Sequence, residues 1–315
     1  MKKKISIVTA CYNEEENVEN LVCEVEKIFN TDETLKNYDF EHIFIDNGSF
    51  DKTASILKGL VKDHPQVKVI INSRNYGHIR SPYHGLIAAE GDAVMSLVAD
   101  FQDPPTLIPD FVKKWEEGFE IVAGVKVQSD ESSIFFAIRT IYYKLVSRLA
   151  EVELIDNFTG FGLYDKRIIQ ELRKISDPYP YFRGLICELG FSRTIIKYHQ
   201  PVRKRGITKN NFYTLYDMAM LGITTNSKIP LRTATILGFL FSILSFSFAI
   251  AFFIAKLMFW DSFSMGLAPI LIGVFFFSSV QMFFIGILGE YIGSIHTQVL
   301  NRPRVIELER INFNE

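Results

Sequence analysis

The residues with the most chemistry in this chain sit in a few short stretches. One runs Asp100-Phe101-Gln102-Asp103 and stops on Pro104-Pro105. Carboxylate and carboxamide oxygens are hard donors, suited to Mg2+ or Mn2+. On an extended segment Asp100 and Gln102, two apart, point the same way and face one cation. The prolines end the strand and stiffen the turn. A divalent ion held there neutralises a diphosphate. A second stretch is Asp46-Asn47-Gly48-Ser49, with Asp51 beyond it. An Asp there accepts hydrogen bonds from a base or a ribose, and Gly48 permits close backbone approach. Ser49 or Asp51 serves equally well as the cap of a helix starting near Lys52. Two further polar clusters are Tyr12-Asn13-Glu14 and Ser73-Arg74-Asn75.

These clusters need elements to position them. Each follows a strand-length apolar run: residues 5–10, 42–46, 67–72 and 93–99. Helix-like segments such as 16–29 and 52–62 lie between them. Strand and helix in alternation imply an α/β fold with a mostly parallel sheet covered on both faces. Ligands of such sheets bind outside the carboxyl ends of the strands, where all four clusters fall. The basic start and short apolar run of MKKKISIVTACYNEEEN read as a buried first strand, since acids arrive at Glu14 before a signal peptide's apolar core is long enough.

The net charge is -2, which gives no global attraction to nucleic acid. Cys11, Cys23 and Cys187 show neither paired nor zinc-type spacing, which suits a reducing compartment. The chain holds 28 Phe, concentrated toward its end. No charged residue lies between Arg232 and Lys256, or between Asp261 and Glu290. About 20 apolar residues cross a bilayer core, so these runs read as a helical hairpin. Arg203, Lys204, Arg205, Lys209, Lys228 and Arg232 precede the first run, and Arg302, Arg304 and Arg310 follow the second. The bias of basic residues puts both ends in the cytoplasm. The aromatic stretch from Phe212 to Leu221 reads as a helix lying in the membrane interface, or as an ordinary helix packed on the domain. The expected division is residues 1–210 for the α/β domain, 211–231 for the interfacial region, 232–295 for the two spans and 296–315 for a cytosolic tail.

Taken in series, the motifs resemble family 2 glycosyltransferases of the GT-A fold, a Rossmann-like nucleotide-binding architecture. Within them the chain is similar to the polyprenyl-phosphate glycosyltransferases, such as bactoprenol glucosyltransferases and dolichol-phosphate mannose synthase. The matching stretches are TACYNEEEN from Thr9, IDNGSFDKT from Ile45, SRNYGH from Ser73, GDAV from Gly91, ADFQDPP from Ala99, NFTGFGLYDK from Asn157, FRGL from Phe182, KRGITK from Lys204 and GITTNSKIPLR from Gly222. The resemblance covers nearly the whole chain, hairpin included.

That resemblance implies an inverting transfer of a hexose from a nucleotide sugar, a UDP-hexose at family level, to a membrane polyprenyl phosphate. It implies a divalent cation, Mg2+ or Mn2+, held by Asp100 and Gln102, with Asp103 beside the reacting sugar. The nucleotide falls to Tyr12, Glu14 and Asp46, with Asn47, Ser49, Arg74, Asn75 and His78 around it. His78, Arg80 and His84 are further candidates for the diphosphate or the donor sugar. Lys126, Arg139, Arg203, Arg205 and Lys209 are the expected contacts of the acceptor phosphate; the last three also suit attraction to anionic headgroups. The expected location is the bacterial cytoplasmic (inner) membrane, multi-pass, with the catalytic domain in the cytoplasm, and a homo-oligomer assembled through the membrane helices. Two positions depart from the family pattern: Asn47 replaces a second Asp, and Val98 replaces the first Asp of an Asp-x-Asp-x-Gln run. The alternatives are a glycosyltransferase acting on a saccharide acceptor and a catalytically inactive membrane scaffold.

Overall fold

The structure, a computed structural model, describes residues 2–129, 152–201, 216, 220–225, 227–258 and 267–313. Eight strands form one sheet: β1 (Lys3–Cys11), β2 (Tyr38–Asp46), β3 (Val67–Asn72), β4 (Ala93–Ser96), β5 (Ile121–Ser129), β6 (Phe158–Asp165), β7 (Arg193–Gln200) and β8 (Glu307–Ile311). Their spatial order is β7-β5-β6-β4-β1-β2-β3-β8. The four strands expected from sequence form its parallel centre, with β1 between β2 and β4 and β3 beyond β2. The flanks are mixed, because β6 runs antiparallel to both β4 and β5, and β7 lies parallel to β5.

The central strands are apolar on both faces because both faces are covered. Ile5, Ile7 and Phe44 pack with α1 (Val18–Thr31), α2 (Thr53–Asp63) and α4 (Ile108–Glu116). Val8, Ile43 and Ile45 alternate with them and pack with α3 (Gly77–Ala88) and α5 (Lys166–Lys174). Helix α3 lies so close to the sheet that a Cβ on Gly85 would overlap the Ile45 side chain. This close seat fixes α3, whose first residues reach the site. A short helix α6 (Phe182–Glu188) packs over β6.

Two expectations are corrected. The fourth strand ends at Ser96, not at residue 99. Leu97 still donates to the carbonyl of Val8 at 2.9 Å, but residues 99–103 form a turn in which Phe101 takes a left-handed φ of 59°. Asp100 and Gln102 are therefore brought near each other by a turn and not by strand alternation. The amide N–H of Gln102 donates to Asp100 Oδ1 at 3.2 Å. The second correction concerns the tail after residue 296. Its residues 307–311 form β8, antiparallel on the outer edge of β3. Ser73 donates to the Ile306 carbonyl at 2.9 Å, and the Asn312 amide donates to the carbonyls of Pro65 and Val67. Glu307 pairs with His84 and Arg310, and Glu309 with Lys58. Arg304 donates to the carbonyls of Asp177 and Ile175 and lies over the Tyr83 ring. The edge strand is thereby covered.

Two long helices, α7 (Ile229–Met258) and α8 (Leu267–Leu300), carry the apolar runs. Both are long and apolar enough to cross a membrane, and the most apolar 18-residue window of each has no buried residue among those described. Helix α8 has 34 residues, about 51 Å at 1.5 Å each, against a bilayer core of about 30 Å. Its last turns therefore reach the α/β domain. There the Tyr291 hydroxyl donates to the Ser227 carbonyl at 2.6 Å, and the Gln298 amide donates to Asp177 at 2.8 Å.

Candidate active site

A cavity of about 970 Å3 opens at the carboxyl ends of the central strands. The turn after β1 supplies Tyr12, and the loop after β2 supplies Asn47. The start of α3 supplies Gly77 and His78, the turn after β4 supplies Val98, Gln102 and Asp103, and β5 supplies Lys126. The far wall includes Arg183 of α6, Gln200 of β7, and Tyr216 and Leu221, which precede the first apolar helix. The free thiol of Cys11 also lines the cavity; burial pushes its pKa well up, so it remains neutral.

One side of the cavity is built on a network of amides. Asn47 Nδ2 donates to Asn75 Oδ1 at 2.9 Å and to the Gly77 carbonyl at 3.2 Å. Its Oδ1 accepts from the Tyr76 N–H at 2.9 Å and from Asn72 Nδ2 at 3.1 Å. One side chain thus joins the ends of β2 and β3 to the start of α3. An Asp here would lack both donors, which explains why the departure from the family pattern is an amide. Gly48 has a φ of 71°, and a Cβ there would lie 2.7 Å from the Arg74 backbone, so this loop needs glycine. Asp46 is buried, its Oδ2 accepts from the Ser49 N–H at 3.2 Å, and its Oδ1 has no hydrogen-bond partner. Burial raises its pKa. A buried carboxylate oxygen without a partner beside a crevice fits a donor brought by a ligand.

Other expected nucleotide contacts hold the loops together. Ser49 Oγ accepts from the Asn13 N–H at 2.9 Å, and Glu14 accepts from Asn17 Nδ2 at 2.6 Å while its own N–H donates to Thr53 Oγ1. Asp51, not Ser49, meets the first residue of α2, accepting from the Thr53 N–H at 3.0 Å. Asn75 lines the cavity, whereas Arg74 is exposed and its guanidinium lies over the Tyr76 ring at 4.1 Å. Two further candidates are corrected. His84 turns away from the crevice and pairs with Glu307 of β8 at 2.5 Å. Arg80 lines a second cavity, beside α8.

On the opposite side, Asp103 is 4% exposed and accepts a 2.7 Å hydrogen bond from the Tyr198 hydroxyl. Burial pushes its pKa up to about 6, and Tyr198 and Lys126 restrain the rise. Lys126 is thus close enough to act on Asp103, and both face the cavity. Arg139, Arg203, Arg205 and Lys209 lie outside the described residues. Sequence reasoning missed Tyr198 and Gln200. The signal was there, since both stand two apart at the carboxyl end of a strand.

A metal fits the donor set here in one way. No cluster of three His, Cys, Asp or Glu side chains occurs among the described residues. Asp100 and Gln102 offer two hard oxygen donors, and Val98, 38% exposed, fills the place of a third. Mg2+ is commonly held by one or two protein oxygens together with substrate phosphates. Of these two donors, Gln102 lines the cavity, and Asp100 is tied to it through the Gln102 N–H.

Comparison with known proteins identifies the family. The family model for glycosyl transferase family 2 matches residues 6–173. The chain belongs to this family, has its GT-A fold, and is a glycosyltransferase. It is similar to a bactoprenol glucosyl transferase from an SfII prophage of Shigella flexneri, at 31% identity over 96% of this chain and 97% of the relative. It is also similar to the uncharacterized glycosyltransferase YkcC of Bacillus subtilis, at 33% identity over 96% and 92%. Among solved structures it resembles a mannosyltransferase from Pyrobaculum calidifontis in complex with GDP-Man and Mn2+, with 12% identity, a TM-score of 0.46, and coverage of 96% and 88%.

Proposed function

We propose that this enzyme transfers a hexose, with inversion, from a nucleotide sugar to a polyprenyl phosphate at the cytoplasmic face of a bacterial membrane. One observation carries the reading: the crevice that holds Asp103 and Lys126 is walled by Tyr216 and Leu221, which lie 13 and 8 residues ahead of the first apolar helix at Ile229. The sugar site therefore opens against the segment that enters the bilayer. The names of the bactoprenol relatives point to the same acceptor class.

A lipid phosphate needs little activation. Its second pKa is about 6, so it is ionised near neutral pH. One of its oxygens attacks the anomeric carbon as the bond from that carbon to the diphosphate breaks, and the nucleoside diphosphate leaves on the opposite face. No general base is required. Lys126 holds the attacking phosphate and offsets its charge. Asp103, charged above about pH 6, faces the positive charge that develops on the sugar. Tyr198 fixes the orientation of that carboxylate. Asp46 and the Asn47 network receive the base and ribose of the donor, a UDP-hexose in this reading. Asp100 and Gln102 would hold Mg2+ or Mn2+, and such an ion would neutralise the leaving diphosphate. The exposed Phe-rich faces of the hairpin allow self-association within the membrane.

The test is an incubation of membranes with labelled UDP-hexose, polyprenyl phosphate and Mg2+. An acid-labile labelled lipid supports the reading. Label in a polymer would mean a saccharide acceptor, and no turnover with a panel of nucleotide sugars would mean a scaffold.

A further inference from the structure

A second cavity, of about 400 Å3, lies between the α/β domain and the last turns of α8. It is distinct from the sugar crevice, sharing with it only Tyr179 and Leu221 among the described residues. Arg80, from the first turn of α3, forms one wall. Its Nε is sealed from solvent and has no hydrogen-bond partner among the described residues. Its guanidinium lies over the Tyr179 ring, 5.0 Å away. A half-buried guanidinium without an anion is costly and calls for an explanation.

The opposite wall comes from one face of α8, where Glu290, Ser294 and Gln298 recur at intervals of four. Glu290 is the first charged residue after the long apolar run, which sets the cavity at headgroup depth if the hairpin lies in a bilayer. Glu290 accepts a hydrogen bond from the Tyr216 hydroxyl at 2.7 Å. No ion pair joins it to Arg80 among the described residues, although both line the same cavity. An ionisable residue at this depth is a candidate for function. A cation and a carboxylate held apart across a polar void form the complement of a ligand that carries both charges.

We propose that this cavity binds the headgroup of a zwitterionic phospholipid with a primary ammonium, a phosphoethanolamine. The phosphate sits on Arg80, whose planar fork suits bidentate contact and whose Nε gains its missing acceptor. The ammonium sits on Glu290 and donates its remaining protons to the Ser294 and Thr297 hydroxyls of the same wall. A glycerol headgroup offers no cation to Glu290, and a trimethylammonium offers no N–H donors. The volume holds the headgroup together with bridging water. Such a lipid would tie α3, whose first residues line the donor crevice, to α8.

The inference rests on the bilayer placement of the hairpin and not on the identity of the sugar acceptor. The test uses the full chain in detergent, mixed with dioleoyl phosphatidylethanolamine, dioleoyl phosphatidylglycerol or polyprenyl phosphate, and native mass spectrometry to count retained lipid. One phosphatidylethanolamine per chain is expected, favoured at least tenfold over the other two. Arg80→Gln is expected to abolish its retention, and Glu290→Gln to erase the preference over phosphatidylglycerol. Arg80→Lys keeps the charge but not the fork and is expected to retain the lipid weakly. Flotation with vesicles checks that each variant still inserts. Equal retention of phosphatidylglycerol or polyprenyl phosphate, or a preference that survives Glu290→Gln, overturns the site while leaving the bilayer placement intact. A chain that does not float overturns both.

Discussion

Tyr198 and Asp103 are 95 residues apart in the chain and 2.7 Å apart in the structure, with the phenol donating to the carboxylate. The carboxyl titrates near 6 in the fold, against about 3.9 in an unfolded chain. Turnover should therefore rise on the acid side with an apparent pKa near 6. Tyr198→Phe removes a hydrogen bond that favours the charged form, so the acid limb should move to higher pH. A pH profile of kcat/KM for both proteins checks this, and an unmoved limb refutes the role. The stability effect has the opposite sense. The folded chain holds the extra proton between about pH 4 and 6, so the contribution of this group is present below pH 4 and is lost as pH rises through 6.

Asp100→Ala should remove the metal-holding carboxylate and lower turnover by about 100-fold or more, with the chain still inserting in membranes. Activity measured across a Mn2+ titration decides it, and retained turnover at ordinary metal concentration rejects the assignment.

Val98→Asp puts a carboxylate back on the crevice wall beside these donors. The half-saturating concentration of Mg2+ or Mn2+ should fall. An unchanged value would mean that this wall does not face the ion.

Asn47→Asp deletes two donated hydrogen bonds and adds a negative charge near the buried Asp46. The expected loss is about 1–3 kcal/mol, seen in thermal unfolding, together with a raised KM for the donor. Stability equal to the parent would show that the network is not what holds the loops.

Arg304→Ala should strip the Asp177 and Ile175 carbonyls of their donors and uncover the Tyr83 ring. A loss of similar size is expected, again about 1–3 kcal/mol. Protease sensitivity after Arg302 would report the loosened tail, and an unaltered digestion pattern would refute this.

Much of the catalytic end was legible in the chain because the rule is local. A strand buried on both faces is a continuous apolar run, and its polar end marks the ligand side. That reasoning placed Tyr12, Asn47, Asn75, Gln102 and Asp103 at one cavity. It erred where backbone conformation, not periodicity, set direction. Phe101 adopts a left-handed turn, so the spacing of Asp100 and Gln102 no longer followed strand alternation. It also erred on α3, where residues four apart share a face but not a partner. Arg80 reaches the cavity beside α8, and His84 reaches β8. The strand Glu307–Ile311 was not visible because residues 296–315 read only as a cytosolic tail. The partners of Glu307 and Glu309, His84 and Lys58, lie more than 200 residues earlier in the chain.

The position of β8 sets an order of events during synthesis. The edge of β3 is closed by residues that leave the ribosome after both long apolar helices. Until those residues have been made, the nascent catalytic domain presents an open strand to its surroundings. Closure of the sheet thus waits on residues 307–311, and a chain truncated ahead of them keeps an exposed template for aggregation.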